Sequence, residues 1–139
     1  LKEDLNLYFY GLIDDIWIST TTEKLILVDY KATSKKGEVS LDAPWQISYK
    51  RQIEIYQWLF RMNGFDVENI SYFIYCNGIA SKENFNNCLE FNTKIIPYKG
   101  NDNWIDRITY EIKSVLESDE IPDASENCEY CRYILKANL

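Results

Sequence analysis

The chain has 139 residues, a hydrophobic content of 46%, an aromatic content of 15% and a formal net charge of −7. This length fits one domain with a core of its own, and the composition argues against intrinsic disorder. The charge excludes a uniformly basic nucleic-acid coat protein, and the absence of histidine excludes Ser-His-Asp or Cys-His catalysis within the chain.

The first predicted element is a β-hairpin. Apolar and polar residues alternate over residues 5–18, which predicts a strand, and residues 25–31 form a second run rich in β-favouring side chains. The polar residues 19–24 between the two runs are typical of a turn. Residues 32–44 contain a glycine and a proline and predict a loop over or beside the strand ends.

The next element is a helix over residues 45–62, which ends at the Asn-Gly pair of residues 63–64. One apolar face of this helix is predicted to contain Ile55, Trp58, Leu59 and Met62.

Three further elements complete the domain. Residues 70–76 and 90–96 predict strands, residues 101–118 predict an amphipathic helix, and an irregular tail begins at Pro122. This order predicts an α/β domain with a central mixed sheet flanked by helices. The helix between the second and third strands is expected to act as a crossover, which makes that pair of strands parallel.

Targeting signals are not visible in the chain. No apolar run is long enough to span a membrane, and the first residues do not form a signal peptide. We therefore expect a cytoplasmic protein whose four cysteines are reduced thiols. Because the first residue is Leu1 rather than Met, we also expect the chain to be a fragment of a longer protein.

Two carboxylates and a lysine form the candidate site. Asp29 and Lys31 are two residues apart on a predicted strand, so their side chains leave the same face, and Asp14 is placed to meet them from the neighbouring strand. Carboxylates and a backbone carbonyl, for which Tyr30 is the natural candidate, suit magnesium or manganese. Lys31 could orient a water molecule or stabilise developing negative charge.

Each of these features also has an ordinary structural interpretation. Asp-x-Lys at the end of a strand is more often a solvated strand end than a metal site, and the Asp14-Asp15 pair could be a polar edge of the hairpin. Gln52 and Tyr56 could be surface positions on an amphipathic helix. The order and spacing of all of them together favour a functional site.

Three motifs carry a resemblance to a known family. They are Gly11-Leu12-Ile13-Asp14, Asp29-Tyr30-Lys31 and Gln52-Ile53-Glu54-Ile55-Tyr56. This series resembles the RecB-like branch of the PD-(D/E)XK nuclease superfamily, which includes nuclease domains of bacterial helicase-nucleases and CRISPR-associated adaptation exonucleases. The motifs cover residues 1–62, and the later strand and helix match by order only.

The resemblance implies a restriction-endonuclease-like core over residues 1–121 and a Cys-containing tail over residues 122–139. Catalysis would involve Asp14, Asp29, Lys31, Gln52 and Tyr56, and Mg or Mn would be bound by Asp14, Asp29 and Tyr30. The implied activity is metal-dependent hydrolysis of DNA in repair, recombination or defence. A helicase or another repair or defence component would be fused or bound to the chain.

The chain departs from this branch in three ways. Asp15 stands where relatives often have Arg, and the upstream helix that supplies a His or Glu ligand is not in the chain, so we expect the core to lack its N-terminal helix. Cys128-x-x-Cys131-x-Tyr133 resembles part of an iron–sulfur motif, but a cluster needs further cysteines from outside the chain. A catalytically weakened nucleic-acid-binding or scaffolding module is therefore the alternative function, and endonuclease or exonuclease action stays open.

Overall fold

The computed structural model describes residues 5–81, 84 and 87–137. The strands are β1 (Asp15–Ile18), β2 (Leu25–Thr33), β3 (Ile70–Gly78) and β4 (Phe91–Lys99). The helices are α1 (Ile47–Met62), α2 (Ile105–Leu116) and α3 (Glu129–Ala137), and a short 3-10 turn at Pro44–Gln46 leads into α1. Within these described ranges, no helix is long and apolar enough to cross a membrane.

The four strands form one mixed sheet in the order β1-β2-β3-β4. The pairs β1–β2 and β3–β4 are antiparallel, whereas β2 and β3 are parallel and are connected through α1. The predicted α/β class, the hairpin and the helical crossover are therefore confirmed.

The strand predicted over residues 5–18 is much shorter than expected, because only Asp15–Ile18 pair with β2. The alternation upstream of β1 has another cause. Phe9 packs edge-on against Trp58 of α1 at 5.9 Å, and Ile13 packs against the core, while Tyr10 between them is exposed. This segment alternates because it lies against a helix, and not because it pairs in a ladder.

The buried face of α1 also differs from the predicted one. Trp58 is buried as expected, but Met62 is 52% exposed. The buried residues of the helix are Ile53, Glu54, Gln57 and Trp58. Gln57 tolerates burial because its amide nitrogen donates to the carbonyls of Glu68 and Asn69 and to the Ser71 hydroxyl. Apolar periodicity cannot reveal a buried polar residue whose partners lie elsewhere in the chain.

The tail is partly helical, and the prediction of an irregular segment from Pro122 is wrong for α3. Cys128 precedes this helix and Cys131 lies in its first turn, so their Cα atoms are 5.3 Å apart, which is within the range of a disulfide. The structure pairs these two cysteines, whereas the sequence predicted reduced thiols; Cys76 and Cys88 are free.

The core lies between α1 and one face of the sheet, which we call the front face. Leu27 of β2, Phe73 of β3 and Ile53 of α1 are fully buried in it. Side chains alternate along a strand, so Asp29 and Lys31 share the front face with Leu27, whereas Tyr30 lies on the back face. The helix that covers the core therefore also covers the candidate site.

A buried glutamate fixes how α1 sits on the sheet. Glu54 accepts hydrogen bonds from the Tyr98 hydroxyl at 2.7 Å, the Asn101 backbone N–H at 3.0 Å and the Trp104 indole N–H at 2.8 Å. Burial and the neighbouring Glu54 carboxylate raise the pKa of Tyr98, so this phenol keeps its proton and remains a donor. One carboxylate thus joins α1 to β4 and to the segment before α2.

We expect Glu54→Ala to lower the free energy of unfolding by about 3 kcal/mol, because three donors lose their acceptor inside the protein. Urea unfolding followed by tryptophan fluorescence measures this change. Arg51→Ala, at an exposed position of the same helix, is the control and should change stability by less than about 0.5 kcal/mol. Equal effects of the two substitutions would contradict the role given to Glu54.

Candidate active site

The site begins with an ion pair on β2. Lys31 Nζ lies 2.6 Å from Asp29 Oδ2, and the two side chains are only 16% and 4% exposed. They meet because residues two apart on a strand project from the same face, and α1 shields that face from water. The pair therefore interacts in a low-dielectric environment, where charge has a large effect.

Asp14 lies beside this pair, immediately before β1. The register pairs Asp15 with Val28, so continuing it by one residue places Asp14 opposite Asp29. Asp14 Oδ2 accepts a hydrogen bond from the Tyr30 backbone N–H at 2.8 Å. Asp14 is exposed whereas Asp29 is buried, so the site opens to solvent on the Asp14 side.

The backbone of Tyr30 faces the same opening. In an extended strand the N–H and C=O of one residue point to the same side, and the Tyr30 N–H points to Asp14. The Tyr30 carbonyl is therefore directed to the edge where Asp14 lies. The structure brings together the two carboxylates, this carbonyl and Lys31.

Asp15, the acidic departure noted in the sequence, does not enter the site. Its carboxylate accepts hydrogen bonds from the Ile16 backbone N–H, the Trp17 indole N–H and the Tyr30 hydroxyl. The Tyr30 hydroxyl, followed by the Ile16 N–H, lowers the pKa of Asp15. Adjacent strand residues face opposite ways, so Asp15 adds its charge to the back face and not beside Lys31.

Helix α1 supplies a relay of hydrogen bonds to the lysine. Lys31 Nζ donates to Gln52 Oε1 at 3.2 Å, and Gln52 Nε2 donates to the Tyr56 hydroxyl at 3.1 Å. Lysine can only donate, so the end of the Gln52 amide that faces Lys31 must be the oxygen. Tyr56 therefore accepts from Gln52, and no described residue accepts a hydrogen bond from its own O–H.

Tyr49 is a member of the site that the sequence motifs missed. Its ring lies 4.4 Å from Lys31 Nζ, a cation–π contact, and Trp45 packs edge-on against it. Tyr49, Gln52 and Tyr56 are spaced i, i+3 and i+7, so they share one helix face. That spacing is the signal that could have placed Tyr49 beside Lys31.

The site concentrates negative charge. Burial raises the pKa of Asp29 above its ordinary value; Lys31 opposes this shift, and the charge of Asp14 adds to it. Asp29 Oδ2 touches the Lys31 ammonium, yet no described residue gives this buried oxygen a hydrogen bond of normal geometry. A cation bound here would favour the ionised form of Asp29 and would give its buried oxygen a partner.

Magnesium or manganese fits the donor set at this edge. No group of three or more His, Cys, Asp or Glu side chains suited to a metal occurs among the residues that the structure describes. Asp14, Asp29 and the Tyr30 carbonyl would therefore have to hold the ion together with water, and magnesium commonly keeps several waters.

Gly11 has a steric role beside Tyr56. A Cβ atom at position 11 would lie 2.3 Å from Cε1 of the Tyr56 ring. Glycine therefore lets the backbone before Asp14 approach the ring that ends the Lys31–Gln52–Tyr56 relay. The first and last motifs of the sequence are in direct contact.

Comparison with known proteins identifies the family. A family model of the PD-(D/E)XK nuclease superfamily matches residues 2–134. No curated protein and no solved structure gives a significant match. The family match extends well beyond the motifs at residues 11–56, while the RecB-like branch stays a prediction.

The pH dependence of stability tests the environment of Asp29. Its pKa is raised in the folded protein, so the ionised form costs free energy and stability falls as pH rises from 3.8 through the raised value. With EDTA present, wild type should lose stability over this interval relative to Asp29→Asn, which cannot ionise. Thermal unfolding between pH 3.5 and 7 measures the difference; a difference that does not change with pH would contradict the assignment.

A double-mutant cycle tests the contact of Gly11 with Tyr56. Gly11→Ala should lower the free energy of unfolding by about 2 kcal/mol, because the new methyl group overpacks against the ring. In a Tyr56→Ala background the same change should cost nothing, because the ring is gone. Urea unfolding of the four proteins gives the coupling. An equal loss in both backgrounds would mean that Gly11 acts through another contact.

Proposed function

Because the chain belongs to the PD-(D/E)XK nuclease superfamily, we propose that it is a metal-dependent nuclease that hydrolyses phosphodiester bonds in DNA. The observation that supports this proposal best is the convergence of Asp14, Asp29 and Lys31 at one edge of the sheet. The arrangement supplies hard oxygen donors and a cation within a few ångströms of each other. Both are what the attack of water on a phosphodiester requires.

The metal would be held by the Asp14 and Asp29 carboxylates and the Tyr30 carbonyl. When bound, it would supply an activated water and offset the charge that grows on the phosphate. Asp29 is held in place by its burial and by Lys31, whereas the exposed Asp14 borders the opening through which substrate would reach the site.

Lys31 is proposed to orient the attacking water or to stabilise the developing negative charge. Its ammonium group is fixed from three sides by Asp29, Gln52 and the Tyr49 ring. A charge held this way needs little reorganisation during reaction, and this is the condition under which electrostatic stabilisation is most effective.

Gln52 and Tyr56 are proposed to place the substrate strand. Gln52 uses both ends of its amide inside the protein, so its main contribution is to hold Lys31 and Tyr56 in position. The Tyr56 O–H has no acceptor among the described residues, which suits donation to a phosphate oxygen beside the scissile bond.

Membership of the RecB-like branch, a role in repair, recombination or defence, and association with a helicase or similar component are proposals carried by the motifs alone. We also propose a boundary near residue 121 between nuclease core and tail. An iron–sulfur cluster is not proposed, because Cys128 and Cys131 would supply only two of the four thiolate ligands that a cluster needs.

The alternative is a nuclease fold that binds nucleic acid with weakened chemistry. It is favoured by the small donor set, since the described part of the chain holds no cluster of three metal-binding side chains. It is disfavoured by the buried Asp29–Lys31 pair, which a domain without chemistry has no evident need to keep.

Cleavage of labelled single- and double-stranded DNA with manganese, magnesium or EDTA tests the proposal. Wild type should cut only with metal, and Lys31→Ala should cut about 100-fold more slowly, as expected for loss of one electrostatic contact in the transition state. Lys24→Ala is the matched control, because Lys24 precedes the same strand and pairs with Asp66 at the surface.

Calorimetry with manganese separates the remaining outcomes. Metal binding that requires Asp29, without any cutting, would favour the binding module over the nuclease. Neither metal binding nor cutting would overturn the assignment of the site. Cutting that is unchanged in Lys31→Ala would remove Lys31 from the mechanism.

A further inference from the structure

A second feature lies on the front face, at the carboxyl ends of β2 and β3. It is a groove of about 800 Å³, which we call the lysine groove. The side chains that matter for its chemistry are Lys35, Lys36, Glu38, Asn77 and Lys94. The groove therefore contains three ammonium groups in a chain whose net charge is −7.

The lysine groove adjoins the candidate active site. Lys31 is opposite Tyr75 and Tyr75 is opposite Lys94, so the three residues form one row across three strands. With strands spaced about 4.8 Å apart, Lys94 is about 10 Å from Lys31 across the sheet. Just beyond the end of β2, the groove begins at Ser34, three residues after Lys31. The groove and Lys31 therefore lie on the same face of the sheet, about two strand spacings apart, with the buried Tyr75 between them.

A buried amide holds the groove in shape. Asn77, only 9% exposed, accepts a hydrogen bond from the Lys35 N–H at 2.9 Å and donates to the carbonyls of Lys35 and Gly37. Val39, two residues later, is buried in the core. The backbone that carries Lys35 and Lys36 is thus fixed to β3 on one side and to the core on the other.

The charges of the groove are available to a ligand. Lys35 and Lys36 are exposed, and no described acidic side chain forms an ion pair with either of them. Lys94 pairs with Glu38 at 3.3 Å, but Glu38 is 91% exposed, and such surface pairs contribute little. A phosphate could therefore displace Glu38 from Lys94 at small cost.

We propose that the lysine groove binds the sugar–phosphate backbone of the substrate strand beside the scissile phosphate, an inference that rests on the proposed nuclease function. Lys35 and Lys36 contact phosphates, and Asn77 is a positioning residue that presents them. Contacts of this kind fix the register of the strand and carry no sequence preference.

The test compares two double variants that remove the same charge. Lys35→Gln/Lys36→Gln empties the groove of two ammonium groups, whereas Lys24→Gln/Lys113→Gln removes two lysines that pair with Asp66 and Glu117 outside it. Cleavage kinetics with manganese and equilibrium binding of labelled single-stranded DNA in EDTA are both measured from 50 to 200 mM salt. Lys35 and Lys36 are exposed, whereas Lys24 and Lys113 are partly buried and paired, so circular dichroism of both variants verifies that the fold is kept.

The groove variant should raise KM and the dissociation constant about tenfold and leave kcat within about twofold, because it loses binding and not chemistry. The slope of log affinity against log salt should become shallower by about 1.4 for single-stranded DNA, since each lost phosphate contact contributes about 0.7. The control variant should change the affinity and the slope by much less. Equal losses in both variants would show a general charge effect and overturn the inference.

Asn77→Ala should weaken binding in the wild-type background and have no further effect in the Lys35→Gln/Lys36→Gln background, because Asn77 acts through those lysines. An equal loss in both backgrounds would mean a merely structural role.

Failure of the groove and failure of the nuclease are distinguishable. If wild type cuts DNA and the groove variant matches it in KM, the groove inference is wrong and the nuclease stands. If wild type binds DNA without cutting it, and only the groove variant binds more weakly, the inference that the groove binds nucleic acid is supported and the proposed nuclease activity is wrong. Absence of both binding and cutting overturns both.

Discussion

The site depends on one contact, the shielded ion pair between Asp29 and Lys31. Taking both charges out of water is costly, and a buried ion pair seldom stabilises a fold more than apolar residues of the same size would. Here the lysine is compensated by Gln52 and by the Tyr49 ring, whereas the aspartate has a raised pKa. The desolvation cost therefore falls mainly on Asp29. Under the proposed function, Asp29 would bind the metal. Under that proposal, a desolvated carboxylate beside a well-held ammonium favours catalysis at the expense of stability.

Helix α1 carries the fold and the site on two different faces. Ile53 packs in the core, and Gln57 bonds Ser71 near the start of β3. Gln52 and Tyr56 lie on the side of the helix that faces Lys31. Successive helix residues are about 100° apart, so a rotation of the helix by one position would move Gln52 away from Lys31. The three hydrogen bonds accepted by Glu54 help to fix that rotation, because hydrogen bonds are directional whereas the hydrophobic effect is not. The polar contacts in the core therefore help to hold Gln52 and Tyr56 in position relative to Lys31.

Local periodicity was sufficient for some features and insufficient for others. The shared face of Asp29 and Lys31 follows from strand alternation, and the parallel pairing of β2 with β3 follows from the intervening helix. The burial of Glu54 depends on donors from other elements, which no local pattern contains. The α3 helix was missed although its residues have an apolar face at helical spacing, because the predicted irregular segment was extended from Pro122 to the end of the chain.

The charge distribution suggests how a polyanion could use so acidic a chain. Over most of the surface a net charge of −7 repels nucleic acid, and Asp14 at the opening of the site adds to that repulsion until a metal is bound. The lysine groove brings three ammonium groups together on the same face. Repulsion elsewhere and attraction there would orient a strand before it reaches Lys31, since a local field in a cleft outweighs the screened average charge at short range. Under the proposed function, an acidic chain would in this way favour approach of its substrate through the lysine groove.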